Sequence, residues 1–162
     1  MTVKEDEVEF SNGKKGIYGI VEKPHFALII PYFGDGFQLV KDYRYPIKGS
    51  YWEFPQGSHE ETPEIDPLTL AKEELIEETG LIAGKINKIG FLFEASGYSN
   101  QGFHIFLATK LRKGKQSLEE GEEGMVSKKF SIEEFKKMIL NGEIKDSSSV
   151  SAFEMFRIYK GI

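Results

Sequence analysis

The sequence predicts a mixed α/β fold with helices on both sides of a sheet. Three observations lead there. The first half reads as strands broken by turns. The pattern changes period at Asp66–Pro67, where an acidic helix begins. Two more helical patterns follow a second group of strands. A length of 162 residues fits one domain, residues 1–162, with a proper core.

The elements follow in chain order. "GIYGIVEK" is a strand closed by Pro24, and "FALIIPYF" is β-branched and aromatic, as a buried strand should be. Gly34-Asp35-Gly36 reads as a hairpin turn, because glycine tolerates positive φ. "FQLVKDYRYP" returns as a strand, and "SYWEFPQGS" is a short extended segment ending at Pro55 and Gly57. Asp66 is a good N-cap, Pro67 suits the first helical position, and Gly80 fits the position after the last turn, so a helix spans Pro67–Thr79. "KINKIGFLFEA" and "GFHIFLATKL" are strands joined through "SGYSNQ", and "GKQSLEEGEEG" is an acidic loop. Ser131-x-x-Glu134 opens a helix that stops at Asn141-Gly142. A last helix starts in "DSSS" (Asp146 to Ser149) and carries Val150, Phe153, Met155 and Phe156.

Composition removes several function classes. With no cysteine there is no disulfide, no thiolate nucleophile and no thiolate metal site. His25, His59 and His104 lie far apart in sequence and make no zinc-ligand pattern. A net charge of −5 without a large Lys/Arg cluster argues against a nucleic-acid partner. No apolar run is long enough to cross a bilayer, and the first residues lack a secretory pattern, so the expected location is the cytoplasm with no membrane partner.

"LAKEELIEETGL" gathers Glu73, Glu74, Glu77 and Glu78, although like charges three and four apart repel. At about 100° per residue, Glu74, Glu77 and Glu78 share one arc, and Leu68, Ala71 and Leu75 occupy the neighbouring one. Leu70 falls near the acidic arc. Such an arrangement suits a solvated helix face, or a hard cation such as Mg²⁺ or Mn²⁺ that takes oxygen ligands and a substrate phosphate.

The flanking residues weigh on that choice. "EELIEETGL" after an acidic helix, with "WEFPQG" ahead of it, resembles the signature box of the Nudix hydrolases; Glu74, Leu75, Glu77, Glu78, Gly80 and Leu81 match it. "DYRYP", "WEFPQG" and "NGEIKDSSSVSAF" look like the ADP-ribose and nucleotide-sugar pyrophosphatases of that family. The resemblance implies a Nudix αβα sandwich with a mixed sheet. It also implies metal-dependent hydrolysis of a nucleoside diphosphate linked to another moiety, ADP-ribose or a nucleotide sugar.

By the same resemblance, Glu74, Glu77 and Glu78 would carry Mg²⁺ (or Mn²⁺), with a backbone carbonyl of Gln56 or Gly57. Glu74 and Glu77 are also candidates for the chemistry itself. Glu122 or Glu123 of the acidic loop would supply a catalytic carboxylate. Arg44 would bind the substrate phosphates, Glu53 would shape the site, and Tyr98 would face the nucleotide. A small-molecule nucleotide is the implied partner, with a homodimer as in related pyrophosphatases. Other readings stay open. Tyr98 lies where diadenosine-polyphosphate hydrolases often carry a tyrosine, and no proline accompanies Ser96 as the ADP-ribose group would often have. A non-catalytic nucleotide-binding or regulatory domain is the reading from a different class. Two departures motivate it: Glu73 replaces the box arginine, and Gly57 precedes that position by two residues more than the pattern allows, so the box's loop Glu falls on Ile65, beside Glu64.

Overall fold

A computed structural model describes residues 1–115 and 124–162. Its strands are β1 (Thr2–Glu9), β2 (Lys15–Glu22), β3 (Phe26–Pro31), β4 (Gly36–Arg44), β5 (Gly49–Glu53), β6 (Gln56–Gly57), β7 (Leu81–Phe93), β8 (Gly102–Lys113) and β9 (Val126–Ser131). Its helices are α1 (Pro67–Thr79), α2 (Ile132–Leu140) and α3 (Ser147–Lys160).

The central sheet is mixed, in the order β6-β3-β8-β7, with β3 and β8 parallel and the other pairs antiparallel. Because side chains alternate along β3, its two faces feed two cores. Ala27 and Ile29 meet Leu70, Ala71 and Leu75 of α1. Leu28 and Ile30 join Ile105, Leu107, Phe37, Leu39, Phe54, Phe135, Phe153 and Phe156 on the other side. There α2, α3 and a second sheet, β5-β4-β9, cover the central sheet. A third sheet, β1-β2, is a two-stranded hairpin.

The three helices start where their capping residues predict. Asp66 Oδ2 accepts from Thr69 N at 3.0 Å, Asp146 Oδ2 accepts from Ser149 N at 2.7 Å, and Ser131 and Glu134 form a complete capping box. Two strands, β1 and β9, were not visible in the sequence pattern. The Gly34-Asp35-Gly36 turn also differs from a simple hairpin. Only a bridge between Tyr32 and Phe37 pairs its flanks, and the turn passes the chain from the central sheet to the second one.

Candidate functional site

Helix α1 delivers the carboxylates, but with another face than the periodicity suggests. Leu68 is 36% exposed, whereas Leu70 is 3% exposed and packs beside Ala71 and Leu75. The helix is rotated so that Leu70, Glu74 and Glu78, each four residues apart, turn toward the body of the protein. Glu74 and Glu78 are accordingly 8% and 2% exposed. A simple solvated face does not describe these side chains.

The segment after Phe54 holds them from the other side. Gln56 N donates to Glu78 Oε2 at 3.1 Å. Gly57 pairs with Ala27 of β3. A methyl group on Gly57 would overlap the Glu74 carboxylate as it stands, so glycine leaves room for Glu74 to lie against this backbone. Glu74, Glu77 and Glu78 thus line one cleft of about 640 Å³ with Asp42, Glu60 and Glu61. Six carboxylates in that wall face Arg44, with His59 as the other basic group. Among the described residues no three acidic or histidine side chains already stand at the spacing of a closed metal site. The donor set itself is oxygen-rich, which is the chemistry that hard divalent cations accept.

Arg44 sits at the junction of this cleft with a second cavity. Its guanidinium Nη2 donates to Glu53 Oε1, and Nη1 lies 4.0 Å from Asp42 Oδ2. Burial alone would lower the Arg44 pKa, but the charges of Glu53 and Asp42 and the Glu53 hydrogen bond outweigh it and raise the value. Burial raises the Glu53 carboxyl; Arg44 opposes that rise, while Asp146 and Asp42 add to it. Direct contact decides for an ionised pair near neutral pH, because a permanent cation touches the carboxylate.

The second cavity, about 420 Å³, shares Arg44, Gln56, Gly57 and Ser58 with the cleft. Its charged lining is balanced: Lys23, Arg44 and Lys145 against Glu53, Glu94 and Asp146. Asp146 caps α3 and also accepts from Gln56 Nε2 at 3.3 Å and from Ser148 Oγ at 2.8 Å. The buried Ser149 Oγ accepts from Phe54 N at 2.8 Å. The start of α3 is thereby stitched to the same short segment that holds Glu78. Lys145 Nζ lies 4.7 Å from the Tyr51 ring centroid. Burial and Asp146 raise the Glu94 carboxyl, against a hydrogen bond from Ser147.

Of the residues singled out in the sequence, Arg44, Glu53, Gln56, Gly57, Glu74, Glu77 and Glu78 converge on these adjoining cavities. Tyr98 does not line either one. It is 59% exposed between β7 and β8, where its carbonyl accepts from Val21 N of the hairpin. Glu122 and Glu123 lie outside the described residues. Glu73 faces His59, with Oε2 3.8 Å from Nε2, while Arg44 engages Glu53 and Lys145 stands over Tyr51. Ile65 packs against the α1 core, so the extended loop brings Glu60 and Glu61 to the cleft instead. The histidines, distant in sequence, meet at a cavity of about 100 Å³. There the buried His104 Nδ1 has no hydrogen-bond partner among the described residues.

Sequence reasoning missed Asp42, Glu60 and Glu61 in the cleft, and Lys23, Glu94, Asp146 and Ser147 in the cavity. Asp146 had a sequence signal, but as a helix cap. The others had no local pattern that separates them from surface charge.

No family model matches the chain. It is 28% identical over 159 residues to the ADP-ribose pyrophosphatase of Bacillus subtilis (strain 168), covering 97% of this chain and 85% of that protein. It is 29% identical over 151 residues to the ADP-ribose pyrophosphatase of Mycobacterium tuberculosis, covering 92% and 72%. The methanol dehydrogenase activator of Bacillus methanolicus is 26% identical over 159 residues, with 97% and 85% covered. The crystal structure of an ADP compounds hydrolase superposes with a TM-score of 0.86 at 23% identity, over 98% of this chain and 86% of that one. The chain is similar to the Nudix ADP-ribose pyrophosphatase group. It shares the αβα arrangement around a mixed sheet with that structural neighbour.

Proposed function

We propose that the chain is a metal-dependent pyrophosphohydrolase acting on a nucleoside diphosphate linked to a sugar. ADP-ribose is the first candidate, giving AMP and ribose 5-phosphate. The observation that carries this reading is the cleft with six carboxylates, joined through Arg44, Gln56, Gly57 and Ser58 to a charge-balanced cavity. Without added cations such a cleft repels a diphosphate. With them it becomes a diphosphate site beside a pocket for an uncharged moiety.

Glu74, Glu77 and Glu78 would hold Mg²⁺ or Mn²⁺, with the carbonyl of Gln56 or Gly57 as a further oxygen donor. When bound, the cation supplies charge neutralisation at the phosphoryl oxygens. The chain's own residues do the rest. Gln56 N–H fixes the Glu78 carboxylate, and Gly57 lets Glu74 approach the backbone. Arg44 meets the phosphate from the junction of the two cavities. A water oxygen forms the new P–O bond, its proton passes to a carboxylate, and the bridging P–O bond breaks with its electrons on the leaving phosphate. Glu122 or Glu123 is our choice for the base, with Glu74 and Glu77 as further candidates for the chemistry. The fold is one domain over residues 1–162, working in the cytoplasm as a homodimer.

Turnover assays with Mg²⁺ and separately Mn²⁺ test this. The panel holds ADP-ribose, sugar nucleotides, diadenosine polyphosphates and nucleoside triphosphates, with products identified by mass. AMP release from ADP-ribose is expected, and Glu78→Gln should lower kcat by at least about 100-fold, as loss of a buried charged group at the reacting phosphate does. A variant within twofold of wild type contradicts the metal assignment. Cleavage of dinucleoside polyphosphates alone moves the substrate and keeps the chemistry.

A further inference from the structure

The second cavity has more polar groups than a diphosphate site needs. A diphosphate held in the acidic cleft leaves its organic moiety facing this cavity across Arg44 and Gln56. Three carboxylates line it, and two are committed. Glu53 is bound by Arg44. Asp146 is occupied as the cap of α3, accepting from Ser149 N, Ser148 Oγ and Gln56 Nε2.

Glu94 differs from both. Its backbone N–H is fixed to Gln101 O at 3.0 Å at the end of β7. Among the described residues its side chain accepts one long hydrogen bond, 3.4 Å from Ser147 Oγ. A carboxylate has about four lone-pair sites, so acceptor capacity remains. Two oxygens on one carboxylate match two adjacent hydroxyl donors, and the Ser147 hydroxyl adds a group that donates or accepts. Phe26 and Tyr51 also line the cavity and add apolar surface for the C–H side of a sugar ring.

We propose that Glu94, supported by Ser147, binds the vicinal diol of the substrate's sugar in this cavity and sets the preference for sugar-linked diphosphates. The proposal rests on the pyrophosphohydrolase reading and adds a specificity residue to it.

Two measurements test it with Mg²⁺ present. The first titrates the protein calorimetrically with ribose 5-phosphate and with 2-deoxyribose 5-phosphate, which lacks the vicinal diol. Wild type should prefer the ribose compound by about tenfold, the scale of one charge-assisted hydrogen bond. Glu94→Gln and Ser147→Ala should shrink that preference, the former to within about twofold. Equal wild-type affinities, no binding of either compound, or a preference that survives in Glu94→Gln overturns the proposal. The second measurement is steady-state kinetics on ADP-ribose, where Glu94→Gln should raise KM about tenfold and leave kcat within about twofold. A fall in kcat at constant KM would assign Glu94 to the chemistry and overturn it too. If wild type cleaves no ADP-ribose, the functional reading fails, and the titration still decides the diol site.

Discussion

Arg44 joins stability to the site through a single side chain. Its guanidinium holds Glu53, which is 5% exposed, at the junction of the cleft and the cavity. Truncation leaves a buried carboxylate without its cation. Breaking a buried pair costs about 3–5 kcal/mol, but the Arg44 side chain is 44% exposed, and solvent reduces such values toward those of surface pairs. We expect Arg44→Ala to cost about 2 kcal/mol near pH 7.5. The pH dependence follows from the Glu53 shift. A carboxyl whose folded pKa is raised binds more protons folded than unfolded, so it favours the folded state at low pH, and that contribution fades as pH rises through its window. Without Arg44 that pKa rises further. The stability gap between wild type and variant should therefore be widest near neutral pH and narrow as pH falls toward the ordinary carboxyl range. Urea titrations of both proteins at pH 7.5 and 4.5 measure the gap, and a gap that widens on acidification contradicts this account. Glu53→Gln in the Arg44→Ala background should recover part of the loss, because it removes the uncompensated charge.

Helix boundaries were the most legible feature of the sequence, and faces the least. Asp66, Pro67 and Gly80 mark α1 because capping and left-handed termination are local chemistry; Gly80 has φ 67° and donates its N–H to Ile76 O. Which side of α1 is buried depends on the sheet it meets. The apolar arc therefore predicted Leu68 as packed, where Leu70 is. Strand β1 was hidden for a related reason. Its alternation is largely charged, and it belongs to a hairpin outside the main sheets, so no apolar run announced it. Strand β9 is short and carries Lys128 and Lys129 beside Phe130. The carboxylates of the α1 cleft were legible because α1 sets their spacing. The second cavity was not, because Glu94 and Ser147 come together only through the fold. The rotation of α1 is directly testable. Leu75→Ala removes a side chain that is 1% exposed and should cost about 2–5 kcal/mol. Leu68→Ala should cost less than about 0.5 kcal/mol. Equal losses in chemical denaturation would contradict the packing of α1.

At the scale of the whole molecule, the β1–β2 hairpin is the part that its own fold explains least. Two-stranded sheets alone are marginally stable in water. This one is fastened at one end. Val21 N donates to Tyr98 O at 2.8 Å, Ser99 Oγ donates to Val21 O at 2.9 Å, and Tyr18 Oη donates to Gly97 O at 3.0 Å. On the hairpin Val3, opposite Val21, is 69% exposed, Ile17 67% and Phe10 49%. The exposure of these apolar side chains supports a second copy of the chain as their cover, in line with the homodimer implied by the resemblance. An isologous contact would place Ile17 in a surface repeated on both subunits. Ile17→Glu would then put two like charges into one apolar seam and should shift the protein from dimer toward monomer. Ile17 lines neither the carboxylate cleft nor the second cavity. Sedimentation velocity over a concentration series reads the outcome. A dimeric wild type with a monomeric or at least tenfold weaker variant supports the seam. A monomeric wild type, or a variant that dimerises as tightly as wild type, rules out the hairpin as the dimer interface.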